Sequence, residues 1–102
     1  MTAQKSTLFI EVIVAYDIAD NKARRKLHDG LLNLGLYDIQ KSVFWGRLNQ
    51  AERKAITRLF SQLLQKDDRA LILPAQMYKA VTAGDCFGYQ EDSFVEKRSE
   101  II

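Results

Sequence analysis

The sequence is short of the residues that announce most enzyme classes. Its 102 residues include one cysteine, Cys86, one histidine, His28, and one proline, Pro74. A lone cysteine closes no intrachain disulfide, and with a lone histidine it leaves too few soft ligands for a structural zinc site. That scarcity fits a reducing cytoplasm. No apolar run approaches the ~20 residues that cross a bilayer. The apolar stretch near the start, LFIEVIV, is interrupted by Glu11 and closed by no small-residue cleavage pattern, so a soluble, unexported, cytoplasmic protein without a membrane partner is expected. A strong excess of one charge is also missing. Fifteen Lys and Arg against thirteen Asp and Glu give +2, which excludes a histone-like electrostatic binder and requires any nucleic-acid binding to come from local clustering. Phosphate-cradling glycine loops, nucleophile elbows, zinc spacings, internal repeats and low-complexity tracts are all absent from the sequence.

What is present suits one small domain. An apolar share of 47% supports a compact core, and so short a chain gains from burying further surface against a second copy. Leu8 to Tyr16 (LFIEVIVAY) is almost continuously apolar and predicts a central strand buried on both faces. After the polar DIADN, with Asp20 or Asn21 as cap, Ala23, Leu27, Leu31 and Leu34 recur at helical spacing, and Gly35 is placed to stop the helix. Leu36 to Leu48 changes to period two and predicts one bent strand or two short strands meeting near Phe44 to Gly46. Asn49 and Glu52 have capping-box spacing and open a second helix with Ile56, Leu59, Phe60 and Leu63 inward. Ala70 to Leu73 predicts a last strand, ended by Pro74. Beyond it, Met77 to Val81 suggests a helical turn, Phe87 to Tyr89 a short strand, and Glu91 to Ile102 a charged, mobile tail.

This order is that of an α+β ferredoxin-like βαββαβ sandwich over residues 1–78, followed by a C-terminal segment, 79–102, with the extra strand. Right-handed crossovers place both helices on one face of the sheet, and in so small a chain only a partner can cover the other. A homodimer with its sheets face to face follows from topology alone.

Few residues could carry chemistry. Asp17 stands where a rigid strand meets a polar loop, where it either binds a metal, with a twofold axis bringing two copies together, or makes an Asx-turn. Lys22, Arg24, Arg25 and Lys26 crowd a helix N-terminus that prefers anions; they either meet a phosphate backbone or form a solvated face offset by Asp17, Asp20 and Asp29. Arg53, Lys54 and Arg58 repeat the pattern weakly. Tyr16, Phe44 and Trp45 either stack on bases or pack in the core or dimer contact. His28 reads as a surface helix residue and Cys86 as inert, since neither has a recognisable catalytic partner.

Two segments together, VIVAYDIADNKARRKL and GLYDIQKSVFWGRL, resemble the CRISPR-associated Cas2 family over about Val12 to Pro74. The resemblance implies a ferredoxin-like homodimer whose C-terminal strand, here Phe87 to Tyr89, often joins the partner's sheet. It implies work in spacer acquisition, where the dimer bridges the Cas1 integrase and holds a short DNA duplex. Some members are described as magnesium-dependent endonucleases acting on RNA or duplex DNA, and Asp17 falls on the family's proposed metal ligand. Tyr16, Arg24 and Phe44 also fall on characteristic positions, Arg24 as a phosphate contact and Phe44 as packing near the cleft. The chain departs from the family pattern at Asp38, where many members carry Arg, at Lys26, which replaces a second Arg, and at Trp45, a position often acidic. A purely architectural DNA adaptor and a VapD-like toxin ribonuclease are the competing readings, and a regulatory ligand-binding module remains open on fold alone.

Overall fold

In the computed structural model, which describes residues 8–89, burial alternates along strand β1 (Ile10–Asp17). Val12, Val14 and Tyr16 are buried, while Glu11, Ile13 and Ala15 on the opposite side are half-buried. The strand is central, as its apolar composition predicts, but in the single chain only one of its faces is closed. The closing layer is a pair of helices. Helix α1 (Asn21–Asn33) contributes Ala23, Leu27 and Leu31, and helix α2 (Gln50–Leu63) contributes Ile56. These meet Val12, Val14, Phe44 and Leu48 of the sheet, and fully burying a side chain of this size stabilises by about 1.5–3 kcal/mol.

Local signals set the helix ends. The Asp20 carboxylate accepts from the Ala23 N–H at 2.8 Å. At the other end Gly35, with φ +90°, lets its own N–H reach the Leu32 carbonyl and the Leu36 N–H reach that of Leu31, a Schellman closure. Asn49 and Glu52 form the expected capping box, each side chain accepting from the other's N–H at 2.8 Å.

The extended segment after α1 is two strands, β2 (Tyr37–Gln40) and β3 (Val43–Leu48). They meet at Lys41 and Ser42 rather than near Phe44 to Gly46, with Ser42 at φ +65°. A register shift between Asp38 and Gln40 bends β2. Gly46 lies inside β3 for steric reasons: a Cβ there would stand 2.6 Å from Leu36 Cδ2 and 3.2 Å from Leu36 Cα.

Strand β4 (Arg69–Pro74) completes an antiparallel sheet of order β2-β3-β1-β4, the ferredoxin-like arrangement. Met77 to Val81 forms no helical turn; a single 3₁₀ turn (Ala83–Asp85) follows instead, where Thr82 and Asp85 close a capping box. Phe87 and Gly88 form a bend and Tyr89 no regular element, so the segment is not a strand in this single chain. The tail expected at 91–102 lies outside the described residues. Among the described residues no helix is long and apolar enough to cross a membrane.

The face turned away from the helices is apolar. Tyr37, Trp45, Ile13 and Leu73 form one cross-strand row, and Val43, Ala15 and Leu71 the next. Leu71 is 43% and Leu73 50% exposed, far more than strand leucines of a closed sheet.

Candidate nucleic-acid interface

The C-terminal end of β1 divides the candidate residues between the two faces of the sheet. Tyr16 points to the helix side and Asp17, the next residue, to the uncovered side. The Tyr16 ring stacks on Phe44 at 6.2 Å between centroids, and the His28 ring meets the same Phe44 edge-on at 5.4 Å. Phe44 is thus the buried floor on which both polar rings rest. Burial, with the Asp38 carboxylate adding to it, raises the Tyr16 hydroxyl above its ordinary value, so it remains a protonated donor at neutral pH.

An open cleft of about 770 Å³ lies above this floor, between the start of α1 and the β2–β3 turn. Tyr16, Arg24, Arg25, His28, Asp38 and Lys41 are among its lining residues. Arg24 is engaged from behind: one guanidinium nitrogen donates to the Ile18 carbonyl at 2.7 Å and the other to the Asn21 side chain. It braces the DIADN loop. Asp68, just before the neighbouring strand β4, braces the same loop, accepting from the Ala19 N–H at 3.2 Å. Arg25 and Lys41 are exposed in the cleft wall.

The structure therefore joins Tyr16, Arg24, Arg25 and Phe44 in one site and leaves the other candidates outside it. Lys22 and Lys26 are exposed on α1 and do not line the cleft. Asp17 is exposed on the uncovered face, opposite Arg69 in the β1–β4 register. Among the described residues no group of three or more His, Cys, Asp or Glu side chains is arranged to hold a metal ion. One chain offers a magnesium ion a single carboxylate here, too few hard oxygens for an ion that demands octahedral coordination. A second copy supplying its own Asp17 is what the fit requires.

His28 is a partly exposed helix residue, as expected, but it does not stand alone. It has a partner: its Nε2 lies 2.9 Å from Asp38 Oδ2, and its Nδ1 lies 3.4 Å from Asp29 Oδ1. The Asp38 hydrogen bond raises the imidazole above its ordinary value of 6.5, against a smaller opposing effect of burial. The pair joins a helix to a strand ten residues further along the chain, so no local spacing in the sequence announces it. Trp45 likewise has a partner, its indole N–H donating to Glu11 on the uncovered face. Tyr89, which also lines the cleft, donates its hydroxyl to the Ile39 carbonyl at 2.6 Å, a contact fifty residues apart in sequence that no local signal announces.

Comparison with known proteins agrees with this architecture. The family profile described as CRISPR associated protein Cas2 matches residues 10–81. A CRISPR-associated endoribonuclease Cas2 of Francisella tularensis subsp. novicida is 42% identical over 84 residues, which are 82% of this chain and 86% of that protein. One from Korarchaeum cryptofilum is 38% identical over 66 residues, 64% of this chain and 71% of that one. Among solved structures, a hypothetical protein of Thermus thermophilus, TT1823, superposes with TM-score 0.60 at 30% identity over 69% of this chain and 85% of that chain. A crystal structure of cas2 shares the fold with TM-score 0.61 at 24% identity, over 84% of this chain and 92% of that one. With the YDI strand end, the ferredoxin-like sheet and the family match covering most of its described length, the chain belongs to the CRISPR-associated Cas2 family.

Proposed function

We propose that this chain acts in CRISPR spacer acquisition as a homodimer that holds duplex DNA for the Cas1 integrase and cuts phosphodiester bonds, in RNA or DNA, with magnesium at its paired Asp17 residues. The observation that carries the reading is the position of Asp17 at the end of an uncovered apolar sheet face. Burying that face against a second copy removes Leu71, Leu73, Trp45 and Ile13 from water, which is favourable by about 25 cal/mol per Å² of apolar surface. The same contact carries both Asp17 carboxylates toward the dimer axis.

The residues then divide the work. Asp17 from each copy supplies the oxygen ligands, and magnesium, when bound, would activate water and offset the charge developing on phosphate. Arg25 offers a charge-assisted contact to the backbone, and Arg24, by bracing the loop from Ile18 to Asn21, positions the start of α1. Lys22 and Lys26 extend the positive surface along the helix. The name endoribonuclease carried by the Francisella and Korarchaeum relatives supports RNA as the substrate of cleavage.

Asp17→Asn is expected to abolish magnesium-dependent cleavage of RNA and duplex DNA while the protein remains dimeric by light scattering. Undiminished cleavage in purified Asp17→Asn protein refutes the catalytic part and leaves the dimer as an architectural holder of DNA. Binding by either form should weaken steeply with salt, because the contacts are to phosphates.

A further inference from the structure

We infer that protonation of His28 sets the net charge of the cleft between α1 and the β2–β3 turn, and with it the cleft's affinity for a phosphodiester backbone. The inference rests on the nucleic-acid reading above and adds its regulation. The cleft wall presents the cations Arg24, Arg25 and Lys41 and one carboxylate, Asp38. Among the described residues Asp38 is the one lining carboxylate that repels a phosphate, and the only cation within ion-pair distance of it is His28, at 2.9 Å. When the imidazole is charged it cancels Asp38 and the wall keeps its positive excess. When it is neutral, Asp38 acts uncancelled against the ligand.

The groups facing His28 come from every neighbouring element. Asp29, Arg24 and Arg25 lie on its own helix, Asp38 on β2, Lys41 on the turn, Tyr16 on β1 and Tyr89 on the C-terminal segment, and the uncharged floor is Phe44 of β3. Asp38 and Asp29 both favour the charged imidazole, so the switch operates above the ordinary histidine value of 6.5. Thermodynamic reciprocity adds a consequence: a bound polyanion must in turn make His28 harder to deprotonate.

His28 is the sole histidine of the chain, so in untagged protein its ring-proton NMR signal titrates without need of assignment. The midpoint is expected above 6.5, higher still with a short DNA duplex bound, and lower in Asp38→Asn. In fluorescence anisotropy with a labelled duplex at fixed ionic strength, affinity should fall about two- to fivefold between about pH 5.5 and 8.5, the size of one partly exposed charge contact. His28→Gln should bind with little pH dependence, and Asp38→Asn should bind more tightly than wild type at the alkaline end. Intact binding that is flat with pH, or a pH profile shared by wild type and His28→Gln, overturns this inference alone. Wild-type protein that binds no duplex at any pH overturns the nucleic-acid reading and this regulation with it.

Discussion

A single methyl group tests how tightly β3 is fitted to the end of α1. The Cβ of Gly46→Ala would meet Leu36 at 2.6 Å from its Cδ2, which can rotate away, and at 3.2 Å from its Cα, which cannot without moving the backbone. The expected loss is about 1–3 kcal/mol, read as a shift in the urea midpoint with unchanged slope. His28 gives a second prediction at this scale. Because its folded-state affinity for the proton exceeds that of the unfolded chain, the stability it contributes is fully present below pH 6.5 and is lost as pH rises through the folded value. With His28 and Asp38 side chains 36% and 41% exposed, solvent limits the effect to about 0.5 kcal/mol. The stability difference between wild type and His28→Gln should therefore shrink from mildly acidic to alkaline pH in paired denaturation curves.

Helix boundaries depend on side chains a few residues away, which is why they could be read directly. Asp20, Gly35 and the Asn49–Glu52 pair each act within about one turn, and all four do in the fold what their sequence spacing implies. Replacing Asn49 by Ala removes the acceptor for the Glu52 N–H and one half of the box; it should cost about 1 kcal/mol, measured by thermal or urea unfolding. The hairpin was harder. Lys41 and Ser42 carry no glycine, asparagine or proline to mark a turn, and Ser42 adopts its left-handed conformation because the strands on either side fix it there. The charged wall of the cleft is only half legible: the arginines show in the helix spacing and Asp38 in its departure from the family pattern, but the pairing of Asp38 with His28 joins a strand to a helix and has no local signal. Tyr89 shows the same limit, since its hydroxyl reaches Ile39 through tertiary structure alone.

For the molecule as a whole, the distribution of apolar surface matters more than any single contact. The sheet buries one face under two helices and leaves on the other a patch built from Ile13, Val43, Trp45, Leu71 and Leu73, larger in character than scattered surface leucines require. If two copies close this face, Leu73→Glu should leave the single chain's fold within about 0.5 kcal/mol of wild type, because Leu73 is already half in water. The dimer should respond differently. An unpaired carboxylate forced into an apolar contact costs about 2–4 kcal/mol, which weakens association roughly 30- to 700-fold and is read by sedimentation as a shift to monomer. The catalytic proposal inherits that dependence. A site assembled from one Asp17 of each copy exists only in the dimer, so cleavage per chain should fall on dilution through the dimer dissociation constant, and at much higher concentration in Leu73→Glu. A site complete within one chain would give the same activity per chain at every dilution, and that result would show that Asp17 acts without its symmetry mate.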